Sequence, residues 1–245
     1  MHVAVYVVPI VFIASLVRST LGFGEALVAV PLLALLIPID VAAPLAVLLS
    51  ILIAAIVVAQ DWRHIHLRSS LWLLIPTFAG IPLGVLLLRS PHPVAVKAAL
   101  AVMILLFSIS SLAGQALPEL KSDNHLALLL CGFLAGVFGG AYGMNGPPLV
   151  IYGTMRRWSP QQFRATLQAY FLPASIAAMA GFGISGLWTP AVTHFFLISL
   201  PAVILATFLG RFLSLRLRGD LFLKTVHICL MLVGAALLVQ AFHRT

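Results

Sequence analysis

The chain has 245 residues, of which 62% are hydrophobic and only 8% charged, and its mean hydropathy is +1.14. A soluble domain devotes about a quarter of its residues to charges, so 14 Lys and Arg with 6 Asp and Glu cannot furnish a water-facing surface. A soluble domain and a single-span anchor are both excluded. The net charge of +8 falls to short connectors that orient membrane spans, not to nucleic-acid binding.

The apolar runs lie at about 3–37, 41–60, 70–88, 94–117, 126–155, 165–187, 190–213 and 221–242. The N-terminal stretch MHVAVYVVPIVFIASLV has no basic n-region and no small-residue cleavage site, so it is expected to stay as the first membrane segment. A straight helix over a run such as 3–37 would be about 45–52 Å long, too long for a hydrocarbon core of about 30 Å. GFG at 22–24 therefore predicts an interruption. Arg18 is the one basic residue deep inside an apolar run. At the midplane it costs about 2.5–3.5 kcal/mol and needs a partner. Two remain open: an anionic substrate, or Glu25 two helical turns along. Glu25, the only acid inside an apolar run, is the candidate for proton coupling.

Connector 61–68, DWRHIHLR, holds Asp61, His64 and His66; HxH lacks a third ligand, so a solvated loop and no metal are expected. Run 126–155 is again overlong and carries GGAYGMNGPPLVIY at 139–152. Pro147 and Pro148 cannot continue an upstream hydrogen-bond ladder but suit a new half-helix. Gly22, Gly24, Gly143, Asn145 and Gly146 thus predict two breaks, each followed by a half-helix whose first N–H groups are unpaired and whose dipole end is positive. Two such ends facing each other would hold a small oxyanion, with Tyr142 and Asn145 adding donors. The alternative is that the glycines only permit close helix packing.

SPQQFR at 159–164 is predicted to start a helix, with Ser159 as N-cap, Pro160 at N1 and Gln162 at N3. Arg164 is expected to anchor to lipid phosphate, with guidance of anions as the alternative. Gln168 and Tyr170 lie deeper, and one of them is expected to face a cavity. His194 and His227 read as core hydrogen-bonding residues, Cys131 and Cys229 as small core residues.

The two halves resemble each other. The glycine cluster in STLGFGEALVAVP at 19–31 answers that at 139–152, Pro38 answers Pro160, Pro76 answers Pro201 and Lys97 answers Lys224. The predicted fold is all-α: a polytopic transmembrane bundle of two internal repeats, 1–120 and 121–245, each opening with a broken or re-entrant helix. Lys and Arg placement leaves two topologies. With both overlong runs as full spans, connectors 89–97, 155–164 and 211–224 share a side, with 9 basic residues against 4. With both as re-entrant hairpins, connectors 61–68, 118–125, 155–164 and 211–224 share a side, with 10 against 3. The hairpin topology inverts the repeats. Both place the termini outside and 155–164 and 211–224 in the cytoplasm. Broken runs in corresponding places of a duplicated chain point to a secondary transporter.

With this layout, the early glycine break in each half, and GPPLVIY and SPQQFRATLQAYF within 146–171, the chain resembles the sulfite exporter TauE/SafE family over essentially its whole length. It departs where Glu25 follows Gly24, since the family's first cluster usually reads as a run of glycines. The resemblance implies a multi-pass carrier of the bacterial cytoplasmic (inner) membrane. Its cargo would be a small sulfur-containing anion, sulfite or an organosulfonate, moved mostly outward. From the residues themselves, the expected substrate-binding set is Arg18, Gly22, Gly24, Tyr142, Gly143, Asn145, Gly146 and Gln168. No cofactor, metal or catalytic residue is expected; the partners are the anion, membrane lipid and, left open, further copies of the chain. Two other classes compete. GISG at 183–186 with His227 is similar to a rhomboid-type intramembrane serine protease, but Ser185 falls at the end of an apolar run, where a nucleophile should start a helix. A non-transporting membrane scaffold would tolerate bulky residues at the breaks.

Overall fold

The computed structural model describes residues 2–34, 36–88 and 118–214, with isolated positions between 102 and 109 and between 216 and 239. Every regular element among the described residues is helical. These are α1 (His2–Leu21), α2 (Glu25–Leu33), α3 (Ile39–Asp61), a 3₁₀ turn at Trp62–His64, α4 (Leu67–Leu88), α5 (His125–Tyr142), α6 (Gly146–Met155), α7 (Pro160–Ile184) and α8 (Pro190–Ser214). All but α2, α6 and the 3₁₀ turn are long and apolar enough to cross a membrane. With 9 and 10 residues, α2 and α6 reach about 14–15 Å at 1.5 Å per residue. The order long, short, long, long runs from α1 to α4 and again from α5 to α8.

Both interruptions fall at the glycine clusters. Gly22, Gly24 and Gly143 sit at φ of +89°, +99° and +68°, a region costly for residues with a Cβ. At the second break Gly143 N–H still bonds Gly139 O at 2.8 Å, and Met144 N–H reaches back to Phe138 O at 3.2 Å, which closes α5. The start of α7 is the expected capping box, with Ser159 accepting from Gln162 N–H and the Gln162 side chain accepting from Ser159 N–H.

The connectors decide between the two topologies. Leu120 N–H bonds Met155 O at 2.9 Å, and the Arg156 guanidinium donates to Leu120 O at 2.6 Å. Asp123 pairs with Arg156 and accepts from Tyr152 and Ser69. The chain therefore enters α5 where it leaves α6, and the pair is a re-entrant hairpin. Asp61 pairs with Arg164 and Arg211, and His66 N–H bonds Thr166 Oγ1 at 2.9 Å. Connectors 61–68, 118–125 and 155–164 and the start of 211–224 thus meet at one end of the bundle. Two full spans would have put 61–68 and 155–164 at opposite ends. In the first half, Ala29, Leu33 and Ile37 share a buried cluster with Val7, Val11 and Ala14 of α1 and Ala42 and Leu45 of α3, so α2 returns along α1 towards the start of α3.

Small residues bring the long helices into contact. A Cβ added at Gly80, Gly84, Gly132, Gly136 or Gly140 would strike the backbone across the α4–α5 seam. Gly210 of α8 lies against Ser19 of α1 in the same way. Packing partners are exchanged between the halves: α1 lies on α8 and α5 on α4, α3 crosses α7, and α4 touches α7 as α3 touches α8. His194, expected in the core, is instead exposed, its ring edge-on to Phe195 at 5.8 Å. It sits one turn into α8, near the end of the bundle. Cys131 is partly buried. Lys97, His227 and Cys229 lie outside the described residues.

Candidate functional site

The two breaks line one small cavity of ≈ 20 Å³, with Gly24 and Glu25 from the first, Gly143, Asn145 and Gly146 from the second, and Arg18 and Phe171 beside them. That volume suits about one water molecule. One face of α7 organises the wall. Arg164, Gln168, Phe171 and Ser175 recur at i, i+4, i+7 and i+11 and so share a stripe. A Cβ at Gly22 would lie 2.9 Å from Arg164 Cα, so only glycine lets the first break approach α7 this closely. Gln168 Nε2 donates to Gly22 O at 2.9 Å, and the Phe23 ring meets Phe163 edge-on at 6.2 Å. The second break rests on α3, where a Cβ at Gly143 would lie 3.1 Å from Val47 Cγ2. The first break leans on Arg164, Gln168 and Phe163 of α7, the second on apolar side chains of α3.

Arg18 is 4% exposed, and every guanidinium nitrogen is bonded. Nε and Nη2 donate to Gln168 Oε1 at 3.1 and 2.8 Å. Nη1 donates to Glu25 Oε2 and to Ser50 Oγ, both at 2.6 Å, and Nη2 also meets Ser50 O at 3.4 Å. The Phe171 ring centroid lies 4.6 Å from the guanidinium carbon, in cation–π range. Ser50 Oγ further shares a hydrogen bond with Ser175 Oγ at 2.8 Å. Four helices thus converge on one buried positive charge. Of the two partners expected for Arg18, Glu25 is the one in contact, although not as a same-face pair on a single helix. The turn at 22–24 places Glu25 at the first position of α2, facing back to α1. Its other oxygen, Oε1, is buried without a hydrogen-bond partner.

The half-helix ends differ from the expected pair of bare cradles. Glu25 places a resident carboxylate at the positive end of α2. At α6, Pro147 and Pro148 have no N–H, so Gly146 is the only one of the first three residues with a backbone donor. The Asn145 N-cap side chain makes no capping bond. Of the expected set, Gly22 and Gln168 support the wall through their mutual bond without lining the cavity. Tyr142 is buried at the end of α5, outside the lining. Tyr170 is also buried and shares a hydrogen bond with Thr77 Oγ1 at 2.6 Å, so it faces α4.

Two connector expectations are corrected. Arg164 is no lipid anchor: it is 3% exposed, pairs with Asp61 and donates from Nε to Ser19 O at 2.8 Å. Asp61 is accordingly held by two arginines and is no solvated loop residue. His66 Nδ1 is hydrogen-bonded to Ser69 Oγ at 2.8 Å, while His64 is exposed. Ser185 is the C-cap of α7, the negative end of the helix dipole, which opposes an oxyanion. Sequence reading missed Ser50, Ser175 and Phe171. The available signal was Ser50, a lone polar residue at the centre of run 41–60.

Comparison with known proteins places this arrangement. Residues 7–238 match the family described as sulfite exporter TauE/SafE. A protein of Cupriavidus necator named probable sulfite/organosulfonate exporter TauE is 24% identical over 178 residues, covering 72% of this chain and 70% of that one. No solved structure matches. The apolar helices, the paired breaks and the match over nearly the whole length make the chain a member of the sulfite exporter TauE/SafE family of membrane transporters.

Proposed function

We propose that the protein exports a small sulfur oxyanion or sulfonate by alternating access about the cavity between the two breaks. The observation that carries this reading is that both breaks meet at one cavity containing a single cation, Arg18. The name of the Cupriavidus necator relative supports the cargo class. The membrane is taken as the bacterial inner membrane, with the joined connectors cytoplasmic and both termini periplasmic. The halves 1–120 and 121–245 act as inverted repeats, a reading supported by the recurring element order and the exchanged packing partners.

In the conformation described, Glu25 occupies Arg18 as an internal stand-in for the cargo. A carboxylate and a sulfur oxyanion both offer oxygen pairs that fit a guanidinium. Exchanging one for the other keeps Arg18 paired throughout, which matters because a buried charge stripped of its partner costs about 3–5 kcal/mol. Protonating Glu25, whose Oε1 is unpartnered, weakens its hold and admits the anion. The space of ≈ 20 Å³ is too small for sulfite, so α2 and α6 must swing at their glycines to open it. With the cell interior negative, a monoanion leaving alone would gain about 2.3 kcal/mol per 100 mV; leaving together with the Glu25 proton, it moves without net charge and is driven by its own gradient.

Purified protein in proteoliposomes, loaded with labelled sulfite, sulfoacetate or thiosulfate, tests the reading. Wild type should move at least one of them, and Arg18→Ala and Gly143→Leu should cut the initial rate tenfold or more. No flux of any of the three in wild type would remove the cargo class. Full-rate flux in Gly143→Leu would remove the site.

A further inference from the structure

A second cluster of charge lies about two turns of α7 from Phe171 of the cavity wall and has no role in the mechanism above. Asp61 Oδ2 pairs with Arg164 and Oδ1 with Arg211 Nη2 at 3.2 Å. One carboxylate thus serves two guanidiniums, and the cluster keeps a net positive charge. Donors are left over: Arg164 Nη2 and Arg211 Nε are both buried atoms without a hydrogen-bond partner. Arg164 is 3% exposed, so its idle donor is shut off from water until an acceptor arrives. The Arg211 side chain is 38% exposed and reaches the surface at the connector end.

The three residues are held rigidly. Gly210, beside Arg211, packs on Ser19; Ser19 O accepts from Arg164 Nε; and the Arg164 backbone abuts Gly22 of the first break. Four residues on, about 6 Å along the helix, Gln168 holds Arg18. Positive charge therefore runs in steps from the surface at Arg211, through Arg164, to Arg18. We propose that Asp61, Arg164 and Arg211 form a second station for a small oxyanion, in series with the cavity at the connector end of the bundle. There Asp61 is the resident counter-ion that the oxyanion displaces, as Glu25 is at Arg18. The cargo class rests on the function proposed above; the station itself is a claim about oxyanion binding.

Two measurements on the full-length protein separate the claims. The first is thermal stabilisation in detergent by sodium sulfite or sodium sulfate, against sodium chloride at equal ionic strength. The background is Arg18→Met with Glu25→Gln, which removes both charges of the cavity pair together and leaves no lone buried charge. Sulfite or sulfate should still stabilise this protein. Adding Arg211→Gln should abolish the shift, and adding Asp61→Asn should enlarge it. The second is sulfite flux in proteoliposomes with the cavity intact, where Arg211→Gln should raise the KM about tenfold with little change in the maximal rate. An anion-induced shift that is absent from the background protein, or untouched by Arg211→Gln, overturns the station. Binding that behaves as expected in a protein that moves no sulfite or sulfonate upholds the station and overturns the carrier reading. Normal flux with a wild-type KM in Arg211→Gln does the reverse.

Discussion

In the carrier proposed above, Glu25 and an incoming anion would compete for the same Arg18 Nη1, the atom that holds Glu25 Oε2 at 2.6 Å. If the anion binds only after Glu25 takes up a proton, each anion travels with a proton, and flux rises as pH falls. Glu25→Gln removes that requirement. The variant is expected to transport with no pH slope and, for a monoanion, with net charge movement that the wild type lacks. Initial efflux measured over about pH 5 to 8, with and without an imposed potential, checks this; a retained pH slope would take Glu25 out of the coupling. Asp123, at the connector end, gives a stability test instead. Burial pushes its carboxyl up, but hydrogen bonds from Tyr152 and Ser69 and the nearby Arg156 and His66 outweigh it, leaving it below the usual range. Its contribution is therefore complete above the unfolded value of about 3.9 and is lost as pH falls through the lower folded one. Asp123→Asn should lower the Tm at neutral pH by about 2–4 °C, and the difference should shrink as pH falls below about 3.9. The Arg18–Glu25 contact was legible because the two residues are seven apart. Arg164 was misread because its partner Asp61 is 103 residues away, and no local pattern reports such a distance.

Among the elements, the α4–α5 pair depends most on what is missing from its side chains. Gly132, Gly136 and Gly140 repeat at four-residue spacing on α5, opposite Gly80 and Gly84 on α4. Without a hydrophobic drive between helices in lipid, association rests on such close backbone approach. A Cβ at Gly136 would enter the position of Thr77 O, whereas one at Gly183 meets nothing nearer than 3.9 Å. Gly136→Ile should therefore cost about 1–3 kcal/mol or more through overpacking, read as a lower Tm and a lower yield of monodisperse protein. Gly183→Ala should be neutral or slightly stabilising; equal losses in both would show that close approach is not what Gly136 supplies. The spacing is present in GFLAGVFGG at 132–140, but the close-packing alternative raised for the break glycines did not extend to Gly132 and Gly136. The break itself was legible because run length and proline chemistry both demanded it. Its donor count was misjudged, because the same prolines that start α6 also deprive it of two N–H groups.

At the scale of the whole molecule, composition settles the solvent but not the path of the chain. Basic counts of 9 against 4 and 10 against 3 differ by one residue, less than the charge rule resolves. The hairpin topology is fixed instead by contacts between distant connectors: Asp61 with Arg164 and Arg211, and Asp123 with Arg156. A two-full-span chain could make none of these three, since a bilayer would separate 61–68 and 118–125 from 155–164 and 211–224. With Cys131 and Cys229 replaced by Ala, single cysteines at exposed positions can read this directly. His64→Cys, Lys121→Cys and Arg157→Cys lie on connectors at the joined end, and Trp188→Cys lies on the turn after α7. In intact cells the first three should resist a membrane-impermeant maleimide until the membrane is opened, and Trp188→Cys should react at once. Reaction of His64→Cys and Arg157→Cys from opposite sides would break the hairpin topology, and with it the inverted relation on which alternating access about the two breaks depends.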